Sequence, residues 1–291
     1  PGGIPQSSRN IFEKLFLAVT FNPLDSTEKD SNELRIMTLG DSFTEGDGVS
    51  FDSCYPTLLQ GILQKRYPDV KVVVLNAGKC GSDPWFEFKK FQDRLLKYKP
   101  DLVVYTNGTN DLFFDHPIYG GMERFKKDST VQSKIPNHWW MPIFEMSYVF
   151  RLIARLWYDE SYIGLATRIQ DKKIAYKDSQ MLSAAFSKLG LENGFKCVQI
   201  FRVEDWEARD GEYKFDYSEV IANTDRLPSF YNFNMLQYYK DSLKINKQNF
   251  QEYFWRIDHH HNAKGYKAMS EAVAVALNPL IVQHLMGKRK L

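Results

Sequence analysis

The amino-acid sequence predicts an α/β fold built around a parallel β-sheet. Two observations support this prediction. Short apolar runs alternate with segments of helical periodicity between residues 34 and 105, and the same alternation returns between residues 172 and 285. A helix that connects two neighbouring strands of one sheet crosses back over the sheet, so the two strands run parallel. The chain has 291 residues, which is enough for one large domain of this kind.

Each element follows from a local pattern. Apolar β-branched runs such as Val72-Val73-Val74 are typical of buried strands. Apolar residues at helical spacing, such as Leu58, Leu59 and Ile62, predict a helix with one buried face. Pro84 suits the first turn of a further helix. Together these patterns predict strands at 34–39, 71–75, 101–105 and 197–201, and helices at about 55–67, from 83 onward, at 172–191 and at 263–285.

The alternation places one domain at residues 34–291, preceded by a poorly structured lead-in at residues 1–33. Two aromatic-rich stretches, at about 112–169 and 203–255, interrupt the pattern and are predicted to be insertions into that domain. Phe144, Tyr148, Leu152 and Leu156 of the first stretch fall at helical spacing. This spacing favours packing in the core over a role in binding.

Composition excludes several classes of protein. The net charge is +2 and the basic residues are scattered, so no nucleic-acid partner is expected. No stretch approaches the roughly 20 apolar residues that span a bilayer, so no transmembrane segment is expected. Three cysteines, Cys54, Cys80 and Cys197, are too few for a disulfide framework, and no C-x-x-C pair indicates a zinc site. The chain begins without Met, so a missing signal peptide carries no information on export.

Polar residues and glycines follow three of the predicted strands. Gly40-Asp41-Ser42 follows the first strand, Asn76 to Gly81 the second, and Asn107 to Asp111 the third. Near the C-terminus, Asp258-His259-His260-His261 precedes the last helix. Ligands bind beyond the carboxyl ends of parallel strands. The set therefore supplies a serine nucleophile, a histidine base with a carboxylate, and donors for an oxyanion.

Four segments in this order resemble the sequence blocks of the SGNH (GDSL-type) hydrolases. They are Leu39–Thr44, Asn76–Gly81, Gly108–Asp111 and Asp258–Gly265. The resemblance covers roughly residues 34–111 and 195–280. It implies a flavodoxin-like three-layer sandwich, with helices on both faces of the parallel sheet, and hydrolysis of a carboxylic ester through an acyl-enzyme on Ser42. The resemblance also places the oxyanion hole on Ser42, Gly81 and Asn110. No cofactor and no metal are expected.

The base is either His260 or His261. Family members often space the acid and the base as Asp-x-x-His, which selects His261. The pattern His-x-Asn-x-x-Gly before the last helix instead aligns with Asn262 and Gly265 and selects His260. Residues two apart in an extended segment face the same side, which would join Asp258 to His260. The residues before Asp258 look extended, so the sequence favours His260, with Asp258 as its acid.

Other polar residues have simpler structural explanations. Asp41 and Asp111 are predicted to satisfy backbone N–H groups of their loops. His116 and His138 are predicted to be surface residues. Neighbouring histidines point in different directions, so the three adjacent histidines do not predict a metal site. The sequon at Asn107 coincides with the proposed site and is interpreted as accidental.

Several functions are excluded and two alternatives remain. Position 44 is Thr, so the Gly-x-Ser-x-Gly elbow is absent at Ser42, as are the phosphate-loop and dinucleotide glycine patterns. An acyltransferase would use the same residues and pass the acyl group to a sugar hydroxyl. A non-catalytic carbohydrate-binding protein on the same fold would use the aromatic insertions for stacking.

The expected substrate is a small-molecule or carbohydrate ester with a short acyl group, since the insertions would narrow the cleft. The family's habits favour an exported bacterial protein, and the sequence leaves the oligomeric state open.

Overall fold

The computed structural model describes residues 27–108, 122, 125, 143, 146–157 and 172–288. Five strands form one sheet: β1 (Glu33–Leu39), β2 (Lys71–Asn76), β3 (Leu102–Asn107), β4 (Lys196–Phe201) and β5 (Phe230–Asn234). The described α-helices are α1 (Ser42–Glu45), α2 (Tyr55–Arg66), α3 (Pro84–Lys90), α4 (Tyr148–Trp157), α5 (Lys172–Asn193), α6 (Asp205–Asp210), α7 (Ser218–Thr224), α8 (Met235–Asp241) and α9 (Ala263–Lys288).

All strand pairings in the sheet are parallel, in the order β2-β1-β3-β4-β5. This is the strand order of flavodoxin-like folds. The chain first adds β2 on one side of β1 and then adds β3, β4 and β5 on the other side, so the order of strands changes direction between β1 and β3. Leu39, the last residue of β1, lies opposite Tyr105 of β3. The predicted α/β fold with a parallel sheet is confirmed, and the crevice at the carboxyl ends of β1 and β3 is where such folds bind ligands.

Two apolar cores, one on each face of the sheet, make the structure three-layered. Ile36 of β1 packs in a core with residues of α2, α8 and α9. Its neighbour Met37 packs in a second core with residues of α3 and α5. Because both faces of the strands are covered, their sequences are continuously apolar rather than alternating. The predicted strands and helices in these layers are found within a few residues of their expected ends.

The predicted insertion at 203–255 requires a correction, because it contains β5 and the helices α6, α7 and α8. Strand β5 has the sequence FYNFN, and only Phe230 is fully buried in it. It pairs with β4 alone and forms one edge of the sheet. An edge strand does not need an apolar residue at every position, so it lacks the pattern that predicted the other strands.

Of the predicted first insertion, only residues 122, 125, 143 and 146–157 lie within the described part of the chain. There the packing interpretation is wrong for two side chains: Tyr148 is 83% exposed and Leu152 is 62% exposed. Phe144 and the side chain of Leu156 lie outside the described residues. Helix α4 therefore presents part of its apolar face to solvent.

Helix α9 is, within the described ranges, the one helix long and apolar enough by length and composition to cross a membrane. Met269, Val273 and Leu277 of this helix are fully buried against the core that contains α2. Its apolar composition is therefore explained by its position as a core helix of the domain.

Candidate active site

The turn after β1 carries Ser42 to the edge of the sheet. Gly40 links the strand to this turn, at a φ of +154°. A Cβ on Gly40 would lie 2.0 Å from Thr106 Oγ1 and 2.1 Å from Thr44 Oγ1, so only glycine fits. The two threonine hydroxyls hydrogen-bond each other at 2.7 Å. The turn is thereby held against β3, with Ser42 as the first residue of α1.

Asp41 caps the short helix that begins with Ser42. Its Oδ1 accepts a hydrogen bond from the Phe43 N–H at 3.0 Å. Its Oδ2 accepts a charge-assisted hydrogen bond from Arg202 Nη2 at 2.8 Å. A side-chain oxygen at this position satisfies an N–H that has no partner within the helix. Asp41 has the loop-stabilising contacts that the sequence predicted for it.

His260 lies beside Ser42. Its Nε2 is 2.7 Å from Ser42 Oγ, which is hydrogen-bonding distance. The Phe43 ring packs on the imidazole, with ring centroids 4.7 Å apart and planes inclined by 31°. The His260 side chain is 19% exposed. The imidazole is therefore both oriented toward the hydroxyl and partly shielded from water.

Asp258 is close to His260 without a direct bond to its ring. Asp258 Oδ2 lies 3.6 Å from His260 Nδ1, beyond hydrogen-bonding distance. Its other oxygen accepts the His260 backbone N–H at 3.2 Å. The Asp258 side chain is 47% exposed. This geometry places a negative charge near the imidazole and leaves the carboxylate largely hydrated.

The sequence predicts an extended segment before Asp258, but the loop that carries Asp258 and His260 is not extended. The Trp255 N–H donates to the His260 carbonyl at 2.8 Å, and the His259 N–H donates to the Trp255 carbonyl at 3.1 Å. His259 has a left-handed φ of +66°. The chain therefore forms a tight loop between Trp255 and His260. This turn brings Asp258 close to His260. The alternating side-chain directions of an extended strand do not explain their proximity.

His261 points away from Ser42 into the core. It is fully buried, and its Nε2 lies 3.1 Å from the Tyr239 hydroxyl. Its ring stacks on Phe254 at 4.4 Å. Burial lowers the pKa of His261 to about 3, and the positive charges of Arg202 and His260 act in the same direction. His261 is thus a neutral core residue at neutral pH.

We expect His261 to make folding stability depend on pH. The unfolded chain protonates this histidine below its ordinary pKa near 6.5, whereas the folded state resists protonation until about pH 3. The stabilisation is fully present above pH 6.5 and is lost as the pH falls toward 3, by up to about 1.4 kcal/mol per pH unit. Denaturant unfolding of wild type and His261→Gln between pH 7 and pH 4 measures it. The stability difference between the two should shrink, or reverse, toward acid pH. Parallel curves would contradict the assignment.

The loop after β2 lies against the nucleophile turn. The Lys79 N–H donates to the Gly40 carbonyl at 2.9 Å, and the Cys80 N–H donates to the Glu45 carboxylate. Gly81 follows with a left-handed φ of +68°. Among the described residues, neither the Ser42 N–H nor the Gly81 N–H has an acceptor. Both donors are therefore available to a ligand oxygen.

Several residues singled out from the sequence have other outcomes. Asn110, Asp111, His116 and His138 lie outside the described residues; β3 ends three positions before Asn110. Asn107, the asparagine of the sequon, is fully buried. The three adjacent histidines contact three separate partners, and no cluster of three metal-binding side chains occurs within the described part of the chain. All three cysteines are free thiols.

Sequence reasoning missed a buried charged group behind the nucleophile. Arg202 follows the end of β4 and is fully buried, with Glu204 Oε1 at 2.6 Å from its Nη1. Burial raises the pKa of Glu204 to about 7, although the adjacent arginine favours the carboxylate form. The rule that drew attention to residues after β1, β2 and β3 applies equally to the residue after β4. That rule was the available signal for Arg202.

Comparisons with known proteins identify the family of this chain. The model of the GDSL-like lipase/acylhydrolase family matches residues 38–268, which is more than half of the chain. The chain belongs to this family. This family is similar in its sequence blocks to the SGNH-type carboxylic ester hydrolases. No curated protein matches the sequence.

Solved structures that resemble this SGNH hydrolase are distant in sequence. An alpha/beta hydrolase enzyme from the metagenome of Lake Arreo, Spain, is 12% identical, with a TM-score of 0.52 over 84% of this chain and 95% of that one. A variant of an acetyl-xylooligosaccharide esterase from Geobacillus stearothermophilus is 12% identical, with a TM-score of 0.50 over 85% of this chain and 94% of that one. At such identities the similarity shows the fold. The chain covers 49% of the length of a two-domain esterase active on acetylated mannans, to which it is 14% identical with a TM-score of 0.49 over 85% of this chain.

Proposed function

We propose that this SGNH hydrolase cleaves a carboxylic ester through an acyl-enzyme on Ser42, with His260 as the general base. The observation that carries the proposal is the 2.7 Å contact between Ser42 Oγ and His260 Nε2. A serine hydroxyl is a weak nucleophile unless a neighbouring base removes its proton during attack. Ser42 follows the first strand of an open parallel sheet, at the edge where such sheets bind ligands.

The proposed reaction has two halves. Ser42 Oγ attacks the ester carbonyl carbon as its proton moves to His260 Nε2, and the tetrahedral intermediate forms. Collapse of the intermediate expels the alcohol, which takes the proton back from His260. A water molecule then attacks the acyl-enzyme as its proton moves to His260. The second tetrahedral intermediate collapses with cleavage of the bond to Ser42 Oγ, which takes the proton back from His260, and the carboxylic acid leaves. This is the acyl-transfer logic of serine hydrolases in general.

The oxyanion of each intermediate would be bound by the Ser42 and Gly81 N–H groups and by the Asn110 amide. Two of these donors are supported by the free N–H groups described above, and the third rests on the resemblance in the block Gly108–Asp111. Asp258 would stabilise the protonated imidazole by its charge, and it orients the histidine backbone through the 3.2 Å hydrogen bond. Donors arranged before the reaction stabilise the developing charge with little reorganisation.

The substrate class we favour is a short-acyl ester, in particular an O-acetylated carbohydrate. Ser42 is only 8% exposed, which restricts the acyl group that can reach its hydroxyl. Two surface cavities, of about 620 and 470 Å³, lie along α9 and are lined by neither Ser42 nor His260. A long acyl chain would need an apolar channel that ends at the nucleophile, and neither of these two cavities provides one. The fold-level neighbour that acts on acetylated xylo-oligosaccharides provides the natural test substrate.

Hydrolysis of nitrophenyl acetate, butyrate and octanoate, together with acetate release from acetylated xylo-oligosaccharides, tests this proposal. We expect kcat/KM to fall from acetate to octanoate by at least about tenfold, since each misplaced methylene group costs on the order of 1–3 kcal/mol in a tight site. A preference for octanoate would contradict the short-acyl assignment. Acetate transfer to an added sugar, in preference to release into water, would favour the acyltransferase alternative.

A further inference from the structure

The segment between β4 and α6 contacts the nucleophile turn through Arg202. The Arg202 guanidinium lies between two carboxylates, with Asp41 Oδ2 at 2.8 Å and Glu204 Oε1 at 2.6 Å. A Cβ on Gly108 would come within 2.6 Å of Arg202 Cζ, so the arginine packs tightly against the end of β3. A buried charge without partners is costly, so these contacts fix the arginine in one position.

Arg202 contacts both neighbours of Ser42 in the sequence. Besides its bond to Asp41, its guanidinium lies over the Phe43 ring at 3.9 Å. The Phe43 ring in turn packs on His260. The residues before and after the nucleophile are therefore both held by the same side chain, and the Phe43 ring contacts both Arg202 and the base.

Three residues further on, Asp205 contacts the loop that carries the base. Asp205 Oδ2 lies 2.7 Å from His259 Nδ1. The Asp205 side chain is 14% exposed, whereas that of His259 is 56% exposed. His259 is the residue with φ +66°, a backbone conformation that residues other than glycine seldom adopt. The contact with Asp205 holds the imidazole of His259 on the outside of this turn, and His259 is joined directly to His260.

The segment itself has a rigid support. Asp205 is the first residue of α6, and the Glu204 N–H donates to the Glu207 carboxylate at 2.9 Å within the first turn of that helix. Glu207 is buried. Arg202 and Asp205 are thus anchored at the carboxyl end of β4, and each contacts a different half of the Ser42–His260 pair.

We propose that Arg202 and Asp205 are positioning residues that together set the distance between Ser42 Oγ and His260 Nε2, Arg202 from the side of the nucleophile and Asp205 from the side of the base. The proposal rests on the proposed function, because it assigns a role relative to that pair. It also explains the first of the three adjacent histidines, since His259 is the attachment point of the base loop. Displacements of about 1 Å at a reacting pair are enough to lower turnover by up to about 100-fold.

The test compares Asp205→Ala and Asp205→Asn with wild type, using nitrophenyl acetate. We expect Asp205→Ala to lower kcat by about tenfold with KM changed less than twofold, because substrate contacts are kept while the base is displaced. Asp205→Asn keeps an acceptor for His259 and should recover most of the lost turnover. Asp210→Ala is the matched control, since Asp210 ends the same helix and pairs with Arg209, and both side chains are about half exposed. It should equal wild type, and circular dichroism should show that every variant is folded at the assay temperature.

Three further variants test how Asp205 and Arg202 act on the Ser42–His260 pair. His259→Gly removes the imidazole while glycine tolerates the left-handed backbone. The double variant His259→Gly with Asp205→Ala should lose no more turnover than either single variant, because both substitutions remove the same contact between Asp205 and His259. Arg202→Lys keeps the charge but loses the planar fork, and should also lower kcat at unchanged KM.

The proposal is overturned if folded Asp205→Ala turns over like wild type while Ser42→Ala is inactive; the proposed function then survives alone. It is also overturned if Asp205→Ala raises KM at constant kcat, which would indicate substrate binding, or if Asp205→Asn fails to recover turnover. A Ser42→Ala variant that keeps wild-type turnover would refute the proposed function itself, whatever the Asp205 variants do.

Discussion

Ser42→Ala is expected to lower kcat by about four orders of magnitude or more. The hydroxyl is the atom that attacks the ester in the proposed mechanism. In serine hydrolases, removal of the nucleophile leaves only the residual rate that the oxyanion hole and substrate binding provide. KM should change little, since the backbone N–H of residue 42 remains in place to bind the carbonyl oxygen.

Hydrolysis of nitrophenyl acetate by purified, folded protein measures this effect. Ser50→Ala is a suitable control, because Ser50 is exposed and its hydroxyl donates a hydrogen bond to the Ser53 hydroxyl at 3.3 Å. It should keep wild-type turnover. Activity of Ser42→Ala within tenfold of wild type would mean that another group attacks the ester.

His260→Gln is expected to lower kcat by a factor on the order of 10³ to 10⁴. Glutamine keeps a polar side chain of similar length but cannot accept the proton of Ser42, so attack and departure of the alcohol both lose their acid–base group. His261→Gln provides the comparison, because His261 lies in the core against Tyr239 and Phe254. It should retain turnover within about tenfold of wild type at pH 8.

The pair of variants decides between the two histidines that the sequence left open. If His261→Gln is the inactive protein and His260→Gln is active, the 2.7 Å contact with Ser42 is not the productive one. If both lose turnover equally while remaining folded, the neighbouring histidine affects catalysis through the Phe43 ring, which contacts both imidazoles. That outcome would contradict the assignment of a structural role to His261.

Most of the fold could be predicted from the sequence because its elements are locally encoded. Strands covered on both faces are continuously apolar, and α2, α5 and α9 have clear helical spacing. Strand β5 could not be predicted in this way. It is a short edge strand, and Asn232 and Asn234 alternate with its aromatic residues. Its place in the sheet depends on its contact with β4, which local pattern does not reveal.

The residues of the site also fall into those that a local sequence pattern predicts and those that it does not. Ser42 and Gly81 follow strands that the sequence identifies, so the rule for parallel sheets brings them to one edge. The register of Asn262 and Gly265 predicts His260 as the base, whereas the prediction of an extended segment before it is wrong. A tight loop with a left-handed His259 produces that geometry instead.

Long-range contacts are what the sequence could not supply. Arg202 and Asp41 are 161 positions apart, and His259 and Asp205 are 54 apart. Neither pair has a local pattern, since an arginine after a strand is most often an exposed residue. The fully buried Arg202 becomes recognisable as part of the site only when the packing around Phe43 is known.

Covalent labelling shows directly whether Ser42 is the nucleophile that His260 activates. Wild type, Ser42→Ala and His260→Gln would be incubated with diethyl nitrophenyl phosphate, followed by digestion and mass spectrometry of the peptides. We expect one phosphoryl group per wild-type chain, on Ser42, with parallel loss of esterase activity. Ser42→Ala should carry no label, and His260→Gln should be labelled much more slowly. Label on a different residue, with the same loss of activity, would contradict the assignment of Ser42 as the nucleophile.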